Sequence, residues 1–164
     1  MKRFTLSAAF AVLALAVLTL GAFAAQNHFR SLMEPDIIVP LPVNVDSEAL
    51  GEATFRLSKD EMAITYQLAV KNIDHITQAH IHEYVGDGRN GPIMVWLFPS
   101  PESTAPGDPT GPVRGKLIRS SFGPENLRNN YTWEQVLDML RSGQAYVNVH
   151  TTEAPGGEIN GHIH

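Results

Sequence analysis

No cysteine occurs in the 164 residues, so the chain can build no disulfide framework, no thiolate metal site and no cysteine nucleophile. Basic residues are few. Twelve Lys and Arg face seventeen Asp and Glu, and the formal net charge of −5 argues against a nucleic-acid partner, which needs clustered cations. Charged residues make up 18% of the chain, too few for a coiled coil, while 43% are hydrophobic, too many for a disordered segment. The length allows one ordinary domain. Against these shortages stands one excess, seven His.

The longest apolar run lies at the start. Met1-Lys2-Arg3 is basic, Phe4 to Ala25 is unbroken and apolar, and Ala22-Phe23-Ala24 reads as a small-x-small cleavage site. Residues 1–25 are therefore expected to be a signal peptide, or a membrane anchor if uncleaved. The mature chain would carry ten basic against seventeen acidic residues and would be secreted, periplasmic or held at the cell surface. In such oxidising places small domains often rely on disulfides. This one must rely on its core or on another crosslink, such as a metal ion.

Residues 26–43 read as a tether and lead-in, with Gln26 to Pro35 polar and patternless, and residues 44–164 as the domain. Within the domain the pattern has period two. Met62, Ile64, Tyr66, Leu68 and Val70 share one face of a strand. Shorter runs at Ile37-Val39, Ala53-Leu57, Ala79-Glu83, Ile93-Phe98, Val113-Ile118, Tyr146-His150 and Glu158-His164 read as further strands. Asp87-Gly88, Asn90-Gly91-Pro92, the Pro/Gly/Ser-rich stretch Pro99 to Pro112 and Pro155-Gly156-Gly157 mark turns between them. One helix is expected. Thr132 and Gln135 form a capping box, Trp133, Val136, Leu137 and Leu140 make one apolar stripe, and Gly143 ends it. Short strands with a single helix indicate an all-β fold, an antiparallel β-sandwich or Greek-key barrel.

Five of the seven His lie in three of these strands. In Ala79-His80-Ile81-His82-Glu83 the two His point one way and Ile81 the other. In Tyr146-Val147-Asn148-Val149-His150, His150 shares its face with Asn148 and Tyr146, opposite the two Val. Ile159 and Ile163 alternate away from His162 and His164 in the same manner. One His-x-His needs no function, but three segments with matching facing predict imidazoles converging on one patch. Residues two apart on a strand are roughly 6.6 Å apart at Cα, so their rings can tilt toward a common point. An all-nitrogen set suits Cu(II), Zn(II) or Ni(II). His80, His82 and His150 are the expected ligands, with His162 preferred as the fourth and His164 in reserve. Asn148, Glu83 and Glu158 are candidates to orient them from behind, although the two carboxylates could equally form a pair and Glu158 could instead bond backbone at the Gly156-Gly157 turn. Ordinary imidazole titration puts the loss of metal below about pH 6.

The order of motifs resembles the CHRD domain, named for chordin, a secreted antagonist of bone morphogenetic proteins. The resemblance rests on Ala79-His80-Ile81-His82, Asn90-Gly91-Pro92-Ile93, Gly143-Gln144-Ala145-Tyr146-Val147-Asn148-Val149-His150-Thr151 and Pro155-Gly156-Gly157-Glu158-Ile159-Asn160-Gly161. It covers roughly residues 44 to 164 and implies an all-β fold with no agreed catalytic activity. Asn160 stands where family members often carry Arg. More locally, His80-Ile81-His82-Glu83-Tyr84 followed by Gly86-Asp87 is similar to the copper-ligand strand of copper/zinc superoxide dismutases. That likeness stops there, because no His lies between His82 and His150 to bridge two metals.

Three functions follow as expectations. The first is an exported CHRD-domain protein holding a transition metal, copper before zinc. The second is an extracellular module that binds a protein or a surface, with no metal role. The third, ranked last, is a mononuclear copper oxidoreductase of dismutase type.

Overall fold

A computed structural model describes residues 26–164. The expected leader, residues 1–25, lies outside the described residues. In chain order the elements are β1 (His28–Met33), β2 (Leu50–Leu57), β3 (Ile64–Ile73), β4 (Ile76–Glu83), β5 (Ile93–Phe98), β6 (Val113–Phe122), α1 (Trp133–Ser142), β7 (Ala145–Thr151) and β8 (Ile159–His162). All the ladders are antiparallel, and they make two four-stranded sheets, β1-β2-β3-β6 and β5-β4-β7-β8. Alternate residues of both sheets meet in one core: Phe55, Tyr66 and Leu68 from the first, Ile81, Val147 and Val149 from the second. The fold is the expected antiparallel β-sandwich with one short helix.

The period-two segments become strands because alternation buries one face and wets the other, as in β3, where Ile64, Tyr66, Leu68 and Val70 are buried between exposed or half-buried neighbours. Tyr66 also donates its hydroxyl proton to the Leu97 carbonyl, which joins the first sheet to β5 of the second. α1 forms as expected. Thr132 accepts from the Gln135 amide at 3.2 Å, its own amide reaches Gln135 Oε1 at 2.9 Å, and Gly143 closes the helix at φ 72°.

Three expectations need correction. Gln26 to Pro35 is no tether, since it contains β1, whose Phe29, Ser31 and Met33 are buried. The buried Ser31 breaks the apolar alternation in the sequence, and its hydroxyl is satisfied by Gly161 O at 2.7 Å. β1 pairs with β2 and also bridges Ser31 to Ile163 and Glu34 to Asn160, so one flank of the sandwich is stitched shut. Met62 does not belong to β3. It is 57% exposed, because Ser58 Oγ accepts from the Met62 and Ala63 amides and holds the preceding residues in a turn.

Ile37-Val39 forms no strand. Its backbone groups are taken by a side chain instead of a neighbouring ladder. Asn160 Oδ1 accepts from the Ile38 amide at 2.6 Å and the Val39 amide at 3.3 Å, and Asn160 Nδ2 donates to Val39 O at 3.2 Å. The Asn160 amide, fully buried, stands in for a strand partner. Replacing it by Ala leaves three buried backbone groups without partners. Asn160→Ala is expected to lower unfolding stability by about 2–4 kcal/mol in urea titrations, with no change in the denaturant slope.

Candidate metal centre

The outer face of the second sheet is not open to water. Every residue of β7 is buried, those facing the core and those facing away alike. Ile38 and Val39 lie against Tyr146, with Tyr84 beside them, and the turns around Gly91 and Gly156 close over the rest. His80, His82 and His150 sit beneath this cover, exposed by 1%, 3% and 4%.

The ladder explains why they meet. β4 and β7 pair with His80 opposite Asn148, His82 opposite Tyr146 and Gln78 opposite His150. His150 is thus the diagonal neighbour of His80, within reach of an aromatic side chain. Ring centroids are 4.9 Å apart for His80 and His150, 5.3 Å for His80 and His82, and 5.9 Å for His82 and His150. One nitrogen from each ring falls within 4.8 Å of the other two. Among the described residues this is the one such group of three His, Asp or Glu.

Each ring is turned by a backbone carbonyl or a neighbouring ring. His82 Nδ1 lies 2.7 Å from Gly91 O, and His150 Nδ1 lies 2.9 Å from Pro155 O. Both nitrogens therefore carry the proton and donate it, which leaves each Nε2 as a bare lone pair. His80 Nδ1 is 3.1 Å from His150 Nε2, and its proton is donated there. The Nε2 atoms of His80 and His82 are buried with no hydrogen-bond partner. Two unpartnered lone pairs in one dry cluster are what a cation would satisfy. His80 Nδ1 and His150 Nε2, 3.1 Å apart, are near the roughly 3.3 Å that separates two nitrogen donors on one tetrahedral ion, so an ion held by that pair would take the place of the proton they share.

The carbonyls are themselves clamped. Tyr146 accepts from the Gly91 amide at 3.2 Å and donates to Asn90 Oδ1 at 3.0 Å, which also accepts from Asn148 Nδ2 at 2.9 Å. Asn90 and Asn148 both donate to Gly156 O, at 2.7 and 3.0 Å. Two glycines permit this closeness. A Cβ on Gly91 would meet Glu83 O at 1.8 Å, and one on Gly157, at φ 125°, would meet Asn148 Oδ1 at 2.0 Å. The motif residues Asn90, Tyr146 and Asn148 thus hold the two turns that aim His82 and His150. Trp96 of β5 completes the wall, its ring edge-on to His80 at 4.2 Å.

The other expected residues lie elsewhere. His162 faces Tyr146 across the β7–β8 ladder, and Tyr146, stacked on His82 at 5.1 Å, fills the space between. β7 separates β8 from β4, so His162 is two strand spacings from His82, roughly 9.5 Å. It packs on Tyr84 and, at 5.9 Å, on His164. Glu83 accepts from the Tyr131 hydroxyl, and Glu158 from Ser47 and Thr151, so neither carboxylate orients an imidazole. Asn148 acts through the turns. The orienting groups that sequence reasoning missed are the Gly91 and Pro155 carbonyls, signalled only by their Pro/Gly turns.

A buried group of three imidazoles in an antiparallel β-sandwich defines the class. The chain belongs to the CHRD domain family, which matches residues 29–163 and so takes in β1 as well as the part read from the motifs. No curated protein and no solved structure matches the chain significantly.

Burial holds the three imidazoles neutral. It pushes His80 down to about 2, helped by His150 and His82, and takes His82 and His150 to about 4 against the opposing pull of the two carbonyls. Protons therefore compete with a cation near pH 4, not near the pH 6 expected from free imidazole. In the metal-free protein the unfolded chain binds protons from about pH 6.5 downward while the folded one refuses them. Stability should be complete above that pH and fall as pH drops toward 4, by up to about 1.4 kcal/mol per pH unit for each histidine. Urea unfolding across this range, beside a His80→Ala/His82→Ala variant with a flatter profile, checks it.

Proposed function

We propose that this protein is exported and holds one transition-metal ion through His80, His82 and His150. The observation that carries the reading is the buried convergence of three imidazoles, one nitrogen each, with the Nε2 atoms of His80 and His82 left without partners. Copper is favoured over zinc by its higher affinity for nitrogen donors. The apolar leader with its basic start supports export, and CHRD domains are typically extracellular. Bound there, the ion would supply a fixed positive centre in a dry site. Rings only 1–4% exposed support holding an ion over turning over a substrate, and the dismutase-type reading is ranked behind it for that reason.

Calorimetric titration of the metal-stripped protein with Cu(II) and Zn(II) tests this. One equivalent of Cu(II) is expected to bind tightly, and His80→Ala/His82→Ala to abolish the uptake. His162→Ala/His164→Ala is expected to leave it intact. In a Trp133→Phe background, Cu(II) should also quench Trp96, whose ring touches His80. Equal weak uptake by the parent and the His80/His82 variant would leave a CHRD binding module with no metal role.

A further inference from the structure

The net charge of −5 hides a segregation of charge between the two sides of the sandwich. On the outer face of the first sheet, opposite the histidine side, six exposed cations stand together: Arg30, Arg56, Lys71, Arg114, Lys116 and Arg119. They are six of the ten basic residues in the described part of the chain. Glu52 is paired with Arg30 at 2.9 Å, and Glu34 and Asp74 line hollows beside Lys71 and Arg114, whereas no acid lines the hollow that holds Arg56 and Arg119. Among the described residues the other five make no ion pair.

The register arranges them in rows. His28, Arg56, Thr65 and Ser121 lie side by side across β1, β2, β3 and β6, and the next row is Arg30, Thr54, Gln67 and Arg119. A bulge in β6 then places Lys116 opposite Ala69, although Arg119 is three residues away. Without that extra residue Lys116 would turn into the core. Arg56 and Arg119 flank a shallow hollow of about 330 Å³ floored by Thr54, Thr65 and Gln67.

We propose that this face binds an extended anionic polysaccharide, a linear polymer bearing carboxylates or sulfates. Spaced guanidinium and ammonium groups meet the repeated negative charge. The interleaved Thr and Gln side chains offer donors and acceptors to sugar hydroxyls. The chemistry suits other polyanions less well. The rows hold no Trp, Tyr or Phe on which bases could stack, and no helix to enter a groove. Of the large exposed apolar side chains only Leu32 lies on this face, too little to anchor in a bilayer. The proposal stands apart from the metal site, which lies on the other sheet.

Binding of the protein to fluorescently labelled alginate, a polyuronate, tests it beside neutral dextran, duplex DNA and phosphatidylglycerol vesicles. Alginate is expected to bind, to weaken steeply between about 50 and 200 mM salt, and to lose at least about ten-fold in affinity in Arg56→Ser/Lys116→Ser/Arg119→Ser. Each single substitution should weaken it in part, and dextran should not bind. The unfolding midpoint of the variants reports that the fold is kept, since exposed substitutions change stability little. No binding of alginate, binding unchanged by the substitutions, or tighter binding of DNA or vesicles would overturn the proposal.

Discussion

The antiparallel register of β4 against β7 is the constraint from which the centre of this molecule follows. It sets residue 80 opposite 148 and residue 78 opposite 150, so three imidazoles from segments 70 residues apart share one face. It also puts the aliphatic residues Ile81, Val147 and Val149 together on the other face, where they join the core. A slip by one residue would exchange these two sets, burying imidazole against Leu68 and Tyr66 and stranding the valines under polar turns. The same pairing that builds the sandwich therefore builds the cluster.

The cover over that face decides what the cluster can do. Imidazoles on a wet sheet would titrate near pH 6.5 and exchange ions freely. Here the turns carrying Gly91 and Pro155 dry the rings and fix their protons on Nδ1, so the lone pairs point inward. Asn90, Tyr146 and Asn148 belong to the most distinctive motifs of the chain, yet none of them needs to touch an ion. Their hydrogen bonds tie two turns to β7, and the turns orient the rings. Motif residues in this chain thus serve to hold backbone carbonyls in place.

Much of this was legible in the sequence, and the unread part has physical causes. Side-chain parity is local, so the facing of His80, His82 and His150 and the helix with its Thr132 cap could be read from spacing. Which strands become neighbours is not local. Whether His162 joins the group depends on β7 standing between β8 and β4, and on a Tyr filling the gap, neither of which alternation encodes. The carbonyl partners are backbone atoms, and residue identity marks only the Pro/Gly turns that carry them, not the rings they face. β1 escaped because a buried serine interrupts its pattern, and Ile37-Val39 misled because its apolar residues are buried by a loop held on Asn160.

The absence of cysteine gives the histidines a structural meaning as well as a chemical one. An ion shared by β4 and β7 closes a loop of about 70 residues, which in the unfolded chain would be costly to close. Because the three rings converge only in the folded state, such an ion would bind the native form and stabilise it by mass action. Its effect resembles that of a crosslink, but one assembled from neutral nitrogen donors that need no oxidant to form. The depressed affinity of these rings for protons would extend that crosslink into mildly acidic surroundings, where ordinary imidazole would let go. Burial, which makes the metal-free centre unfavourable in acid, is thus also what would keep the ion in place there.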